Sequence, residues 1–288
     1  MYKYLDEVNS AISKIISEYN INKTSESFYI GRINSFFKDY MSKENNKNKP
    51  LNAITYFDVD YFLQNLNCSD SEKVNCYCAL KRFFEYTYLK GITKEIMSKV
   101  KKPFYKRPPF ETLTEDNYMK LKSFITDKKN DIYNRLILGL FIFTGLSRKY
   151  IYEIRNNDFI FEDGIYKLRI WKDEEEEKEE VILPLKSELQ LIVNDYCNSL
   201  KSDERLNRFV KHDSNYLSTY ISNITKKIFT QKCTPTILCN TFISLALAKG
   251  NCVWEVSTLT LESITTIEKH IVNEKDLFYK QTSILNNF

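Results

Sequence analysis

One stretch of this chain departs from a helical period, and that departure decides the fold class. From Asp158 to Leu185, "DFIFEDGIYKLRIW" and "EEVILPL" alternate apolar with polar residues and are rich in β-formers. That is the pattern of short antiparallel strands. Elsewhere apolar residues recur every three or four positions, as on one face of a helix. Tyr4, Val8, Ile12, Ile15, Ile16 and Tyr19 mark a first helix, and Phe28, Ile30, Ile33, Phe36, Phe37 and Tyr40 a second. Gly and Pro number only six each in 288 residues, which leaves few tight turns and favours long helices. The expected class is mainly α, with one small three-stranded antiparallel sheet among the helices of the second half.

Helix ends can be read from capping residues. Asp58 is expected to cap "VDYFLQNLN", and Ser69 or Ser71 to cap "EKVNCYCALKRFFEYTYLKG", which Gly91 closes. Within that helix Phe83, Phe84 and Tyr88 are spaced as core residues. Residues 98–114, "SKVKKPFYKRPPFETLT", carry three prolines, and five Lys/Arg fall between Lys99 and Arg107. This composition predicts an extended basic linker. Thr114 then caps a helix from Glu115 to Ile125, and Asn134 to Phe143 reads as a buried helix. "FIFTGLSRKYIYEI" turns at Gly145 and restarts as a helix. Further helices are expected over Ser187–Leu200, Tyr216–Phe229 and Pro235–Lys249. The division is a first domain over 1–98, a linker over 99–113 and a second domain over 114–288.

Composition removes several classes. No run of about 18 to 20 apolar residues exists, so no membrane span is expected, and "MYKYLDEVNS" lacks a secretory pattern. The seven cysteines, Cys68, Cys76, Cys78, Cys197, Cys233, Cys239 and Cys252, form no CxxC pair, and His212 and His270 are the only histidines. Neither a disulfide framework nor a zinc site is indicated, and a cytoplasmic setting follows. Without a Gly-rich phosphate loop or a ligand cluster, no cofactor and no metal are expected. Residues 1–110 hold 18 Lys+Arg against 12 Asp+Glu; the remainder holds 24 against 26. Seven of those 26 acids lie in one run, "DEEEEKEE", Asp173 to Glu180. Both parts are otherwise mildly basic, which suits a nucleic-acid partner.

The order of segments carries a resemblance. "ITYFDVDYFLQNLNCSDSEKVNCYCALKRFFEYTYLKG" is similar to the helical core-binding (SAM-like) module of the tyrosine recombinases, the phage integrase family. "LILGLFIFTGLSRKYIYEIRNNDFIFEDGIYKLRIW", "EEVILPLKSEL", "TPTILCNTFISLALAKGN" and "VWEVSTLTLESITTIEKHI" follow that family's catalytic domain in order. The resemblance implies two domains closing on duplex DNA with the linker along the backbone. Family members attack a phosphodiester with a tyrosine hydroxyl, while two arginines, a lysine and histidines stabilise charge and move protons.

Carried over position by position, the resemblance finds little of that set. The first arginine falls on Ser147, with Arg148 one residue late and about 100° around a helix. The hairpin lysine matches at Lys172. The pattern Pro-His-x-Leu-Arg-His reads Pro235-Thr236-Ile237-Leu238-Cys239-Asn240, so both histidines and the second arginine are replaced. A late Gly-His pair falls on Thr260 and Leu261, and the tyrosine on Lys269 or His270. Tyr279 is available as a displaced nucleophile, although among 20 tyrosines packing is the commoner role. Lys172, ahead of so many carboxylates, reads as a solvated charge or a local ion pair more readily than as a catalyst.

The resulting expectation is a DNA-binding protein of a plasmid, phage or other mobile element that acts in replication, maintenance or transfer without standard cleavage. An atypical relaxase or recombinase using another tyrosine, and a protein-interaction module, are the alternatives. Lys81, Arg82, Lys90, Lys99, Lys101, Lys102, Lys106 and Arg107, with Arg148 and Lys172, are the candidate DNA contacts. The partner is double-stranded DNA, and residues 272–288 are a candidate self-association segment. The acidic run reads either as a solvated loop or as a segment that keeps DNA away.

Overall fold

The computed structural model describes residues 1–106, 108–173 and 178–271. The expectations placed on Arg107, Tyr279, the segment 272–288 and the middle of the acidic run lie outside the described residues. Contacts divide the chain into two compact units, Met1–Pro108 and Pro109–Phe288.

The first unit is helical: α1 (Leu5–Glu18), α2 (Lys23–Ser35) running into a π-turn (Phe36–Tyr40), α3 (Tyr56–Asn65) and α4 (Asp70–Leu89). Asn22 starts α2 by accepting from the Ser25 amide at 2.8 Å, and Ser69 starts α4 by accepting from Glu72. The start of α3 departs from expectation. Thr55 is its N-cap, and Asp58 sits three residues in, accepting from the Thr55 amide at 2.7 Å and from Lys49 Nζ at 2.6 Å. Asp58 is thus the inner half of a capping box rather than the cap. Gly91, at φ +71°, closes α4 in the left-handed conformation that glycine adopts at least cost. Four fully buried rings form the centre: Phe36 and Phe37 from the π-turn, Phe83 and Phe84 from α4. They meet edge to face, Phe37 and Phe83 at 5.2 Å and Phe83 and Phe84 at 5.3 Å, the favoured arrangement for aromatic quadrupoles. Tyr88 does not join them; it is 48% exposed, because the last turn of α4 runs past the core.

The second unit is built around α6 (Ile132–Thr144), whose Leu136, Ile137, Leu138, Leu140 and Phe141 are all fully buried. A helix apolar on every side must be wrapped by others, and α5 (Glu115–Thr126), α8 (Ser187–Ser199) and α10 (Pro235–Ala248) pack on it. Arg135, 5% exposed, donates from Nε to the Ile125 carbonyl at 2.8 Å and so satisfies an end of α5. A short α7 (Arg148–Glu153) leads to the sheet, β1 (Phe159–Glu162), β2 (Ile165–Asp173) and β3 (Lys178–Pro184), antiparallel in that order. Leu168, Ile170 and Leu183 face the core while Trp171 and Ile182 face out, the alternation that a one-sided sheet requires. After α9 (Ser214–Phe229) and α10 come α11 (Val253–Thr260) and α12 (Ile264–Glu268). Among the described residues no helix is long and apolar enough to cross a membrane.

Of the stretch read as a linker, Val100 is buried in the first unit's core and Leu113 in the second's. Between them Lys101, Lys102, Phe104, Tyr105 and Lys106 are exposed.

Candidate nucleic-acid interface

The turn between α6 and α7 is fixed by close packing. Gly145 has φ +69°, and a Cβ there would lie 2.4 Å from Phe242 Cδ1 and 2.8 Å from Thr260 Cγ2. Backbone conformation and space both demand glycine. Leu146 follows, fully buried, and Ser147 is the half-buried N-cap residue of α7. Arg148 opens the helix on its exposed side and donates from Nη1 to Ser218 Oγ of α9 at 3.0 Å.

α10 closes over this turn. The Cys239 thiol donates to the Leu146 carbonyl at 3.0 Å, and burial pushes it up to about 12, so it stays protonated at neutral pH. Asn240, also buried, donates to the Glu111 carbonyl at 3.3 Å, and Thr241 Oγ1 accepts from the Leu113 amide at 2.8 Å. Three consecutive residues of α10 therefore anchor backbone rather than face a ligand. Thr236, by contrast, is exposed on the first turn of α10. Leu261 has φ +59°, and its carbonyl accepts from Tyr150 OH at 3.4 Å. Lys269 is exposed. His270 is 7% exposed, with its ring parallel to Phe110 at 4.0 Å and Nδ1 3.4 Å from Ser244 Oγ.

Lys172 lies half-buried on β2, and its ammonium is 3.6 Å from Glu179 across the hairpin. Diagonally across the same two strands, Arg169 Nε lies 2.7 Å from Glu180, whose register partner is Trp171. The strand expected over "EEVILPL" already took in Glu179 and Glu180; the structure extends the strands further into the acidic run, to Asp173 in β2 and Lys178 in β3. Pairing sets this boundary: the two acids stand beside the cations of the facing strand.

The candidate DNA contacts fall into two kinds. On α4, Lys81 pairs with Glu85 at 3.6 Å and Lys90 with Glu18 at 3.0 Å. Arg82 donates to Tyr29 OH and lies 5.1 Å and 5.3 Å over the Tyr19 and Tyr29 rings. Arg82 and Lys90 hold α4 to its neighbours, whereas the Lys81 pair lies along α4 itself. Lys99 lies 5.9 Å over the Tyr56 ring, and Lys101, held by its amide to Asp60 Oδ1 at 3.0 Å, extends its side chain into solvent. Among the described residues Lys101, Lys102 and Lys106 have no carboxylate within ion-pair distance.

The structure adds a surface that the sequence reading passed over. On α9, Leu217, Ile221, Ile224 and Phe229 are buried, while Asn215, Thr219, Asn223, Lys226 and Lys227 are exposed along the opposite side. The signal was present: from Ser214 to Trp254 there is no Asp or Glu, yet there are four lysines. Such a face suits phosphate and base edges and is hidden from a count of net charge, which the acidic run dominates.

No family model and no curated protein matches this chain in sequence. Solved structures match in fold. A XerH site-specific recombinase bound to palindromic difH substrate, in a post-cleavage complex, has a TM-score of 0.71 at 17% identity, over 93% of this chain and 81% of that one. A lambda integrase dimer bound to a COC' core site has a TM-score of 0.67 at 16% identity, over 92% and 94%. The Tn1549 transposon integrase in complex with circular intermediate DNA has a TM-score of 0.67 at 12% identity, over 91% and 94%. The helices, the one small antiparallel sheet and the α6–α7 corner thus form a tyrosine recombinase and integrase fold.

Proposed function

We propose that this chain binds duplex DNA on a recombinase scaffold and does not carry out that family's strand cleavage. The observation that carries this reading is Cys239. Where the resemblance places an arginine to hold the scissile phosphate, the chain has a neutral thiol committed to the Leu146 carbonyl. Ser147, Thr236, Asn240 and Leu261 supply no charge at the other carried-over positions. Lys172, the one cation that matches, stands next to Glu179. A phosphorane-like transition state would gain little stabilisation from this set. DNA binding is supported by the fold, whose solved relatives are complexes with DNA. The carboxylate-free lysines of 101–106 and the acid-free face of α9 give it chemical means. A plasmid, phage or other mobile element is the setting we favour, with a role in replication, maintenance or transfer.

The test is a nicked suicide duplex incubated with the full chain and resolved under denaturing conditions. Non-covalent retardation on a native gel without a covalent band is the expected result. A covalent adduct abolished by Tyr279→Phe would overturn the non-cleaving reading and favour an atypical relaxase or recombinase. No duplex binding even at low salt would leave the protein-interaction alternative.

Self-association through residues 272–288 is a further part of the proposal. Ile271, the last described residue, packs on a cluster of Ile243, Leu247, Val256 and Ile267. Val256 also lines an apolar pocket of about 280 Å³ with Phe143, Phe242 and Leu259. Chain truncated after Ile271 is expected to sediment as a monomer where the full chain associates.

A further inference from the structure

The first unit carries exposed aromatic rings that duplex binding does not use. On α3 two aromatic side chains one turn apart point to solvent, Phe57 at 65% exposure and Tyr61 at 55%. Each belongs to a pair: Phe57 lies 4.0 Å from Tyr56 between ring centroids, and Tyr61 lies 5.7 Å from Tyr40. Each pair has a lysine over it. Lys99 Nζ is 5.9 Å from the centre of the Tyr56 ring, and Lys43 Nζ is 5.8 Å from that of Tyr40. The basic stretch starts at the same helix, because the Lys101 amide donates to Asp60 Oδ1 at 3.0 Å. Lys102, Phe104 at 84% exposure and Tyr105 at 39% follow directly in the chain.

Isolated exposed apolar residues are ordinary, but contiguous rings under cations are not. Burial explains Phe36, Phe62 and Phe84 on the inner side of the same region, where their rings meet. It does not explain Phe57 and Tyr61. A protein partner would favour aromatic rings but not lysines, which are depleted in protein–protein contacts. Duplex DNA would use the lysines but offers no free base faces, since these are closed within the stack. An unpaired strand offers both, with flat bases for the rings and phosphates for the ammonium groups. Asp58, the buried acid of this region, is neutralised by Lys49 at 2.6 Å, so it does not oppose a phosphate.

The geometry points to the α3 face of the first unit as a stacking site for unpaired DNA. Two bases of a single strand would stack on the Tyr56–Phe57 and Tyr40–Tyr61 pairs, with Lys43, Lys99 and Lys101 on the flanking phosphates. This gives the chain a way to hold a melted or displaced strand beside duplex.

The experiment is fluorescence anisotropy of the full chain with a fluorescein-labelled oligothymidylate of about 20 nucleotides, beside a blunt duplex of equal length. Phe57→Ala with Tyr61→Ala is expected to weaken oligothymidylate binding by about 30-fold or more, from the usual worth of base stacking at two sites. Duplex affinity is expected to stay within about twofold, because phosphate contacts carry it. Phe57→Tyr with Tyr61→Phe should retain strand binding, and circular dichroism checks that each variant folds. Unchanged strand affinity in the alanine variant overturns the inference. So does an equal loss on strand and duplex, or a wild-type chain that ignores the strand. A wild-type dimer that the alanine variant dissociates in sedimentation velocity overturns it in favour of a protein interface. Failure of wild-type duplex binding would sink the proposed function above and leave this site standing.

Discussion

Packing at the α6–α7 corner rests on two residues, Gly145 and Cys239. Gly145→Ala adds a Cβ within 2.4 Å of Phe242 at a backbone angle of φ +69°. It should destabilise the second unit by about 2–4 kcal/mol, combining the left-handed penalty with overpacking; chemical denaturation measures it. Cys239 makes a complementary prediction. A buried thiol pushed up to about 12 should react with iodoacetamide at pH 8 about a hundredfold or more slowly than Cys78 or Cys252, both exposed. Peptide mass spectrometry after timed quenching reads the ratio, and comparable labelling at all three would refute the packing described here. Both residues were visible in "TGLS" and "TPTILCN", but the contact that joins these segments, from Cys239 to Leu146, spans 93 positions. Periodicity and spacing carry no information at that range; only the resemblance brought the two segments together.

For whole elements, legibility follows locality. Thr114 and Ser69 cap the helices they were expected to cap, because a cap is a contact between near neighbours. The same logic locates the errors. "TYFD" holds a capping box, and reading Asp58 alone placed the cap three residues late. Asp213, accepting from the Asn215 and Tyr216 amides, starts α9 at Ser214 rather than at Tyr216. Arg82 and Lys90 looked equivalent to the linker lysines in sequence, since their partners Tyr19, Tyr29 and Glu18 come from other helices, and Lys81 is paired along its own helix with Glu85. This difference is testable. Lys101→Ala, Lys102→Ala and Lys106→Ala together should lower duplex affinity and reduce the slope of log K against log salt by about one unit per lost contact. Lys226→Ala with Lys227→Ala on α9 should do the same by about two. Lys81→Ala with Lys90→Ala should change the slope less. A mobility-shift series over salt concentration decides, and equal slopes for all three sets would remove the distinction.

At the scale of the whole molecule, several weak acids are held protonated by burial or partial burial. Burial pushes the thiols of Cys76 and Cys197 up to about 11, and the phenol of Tyr133 up to about 12. Cys239 behaves in the same way. Each such group holds its proton more tightly folded than unfolded. The stability this gives is complete below the unfolded value, near 9 for a thiol, and is lost as pH rises toward the folded value. Thermal midpoints should therefore fall steadily between about pH 9 and pH 11, measured by differential scanning fluorimetry. A flat profile across that window would contradict the burial of these groups.

The thiol at 239 also bears on protein engineering. On the non-cleaving reading proposed above, installing cleavage would begin with an arginine at that position, and the side chain would arrive where 7% of the residue's surface meets solvent. The Leu146 carbonyl, now satisfied by sulfur, would gain a charged neighbour in a dry interior, a costly state unless Glu262, whose charge already acts on the thiol, pairs with it. A second cation at Ser147 would crowd the same turn. Phe242 and Thr260 already line the α6–α7 turn at Gly145, so a designer would have to repack them together with that turn.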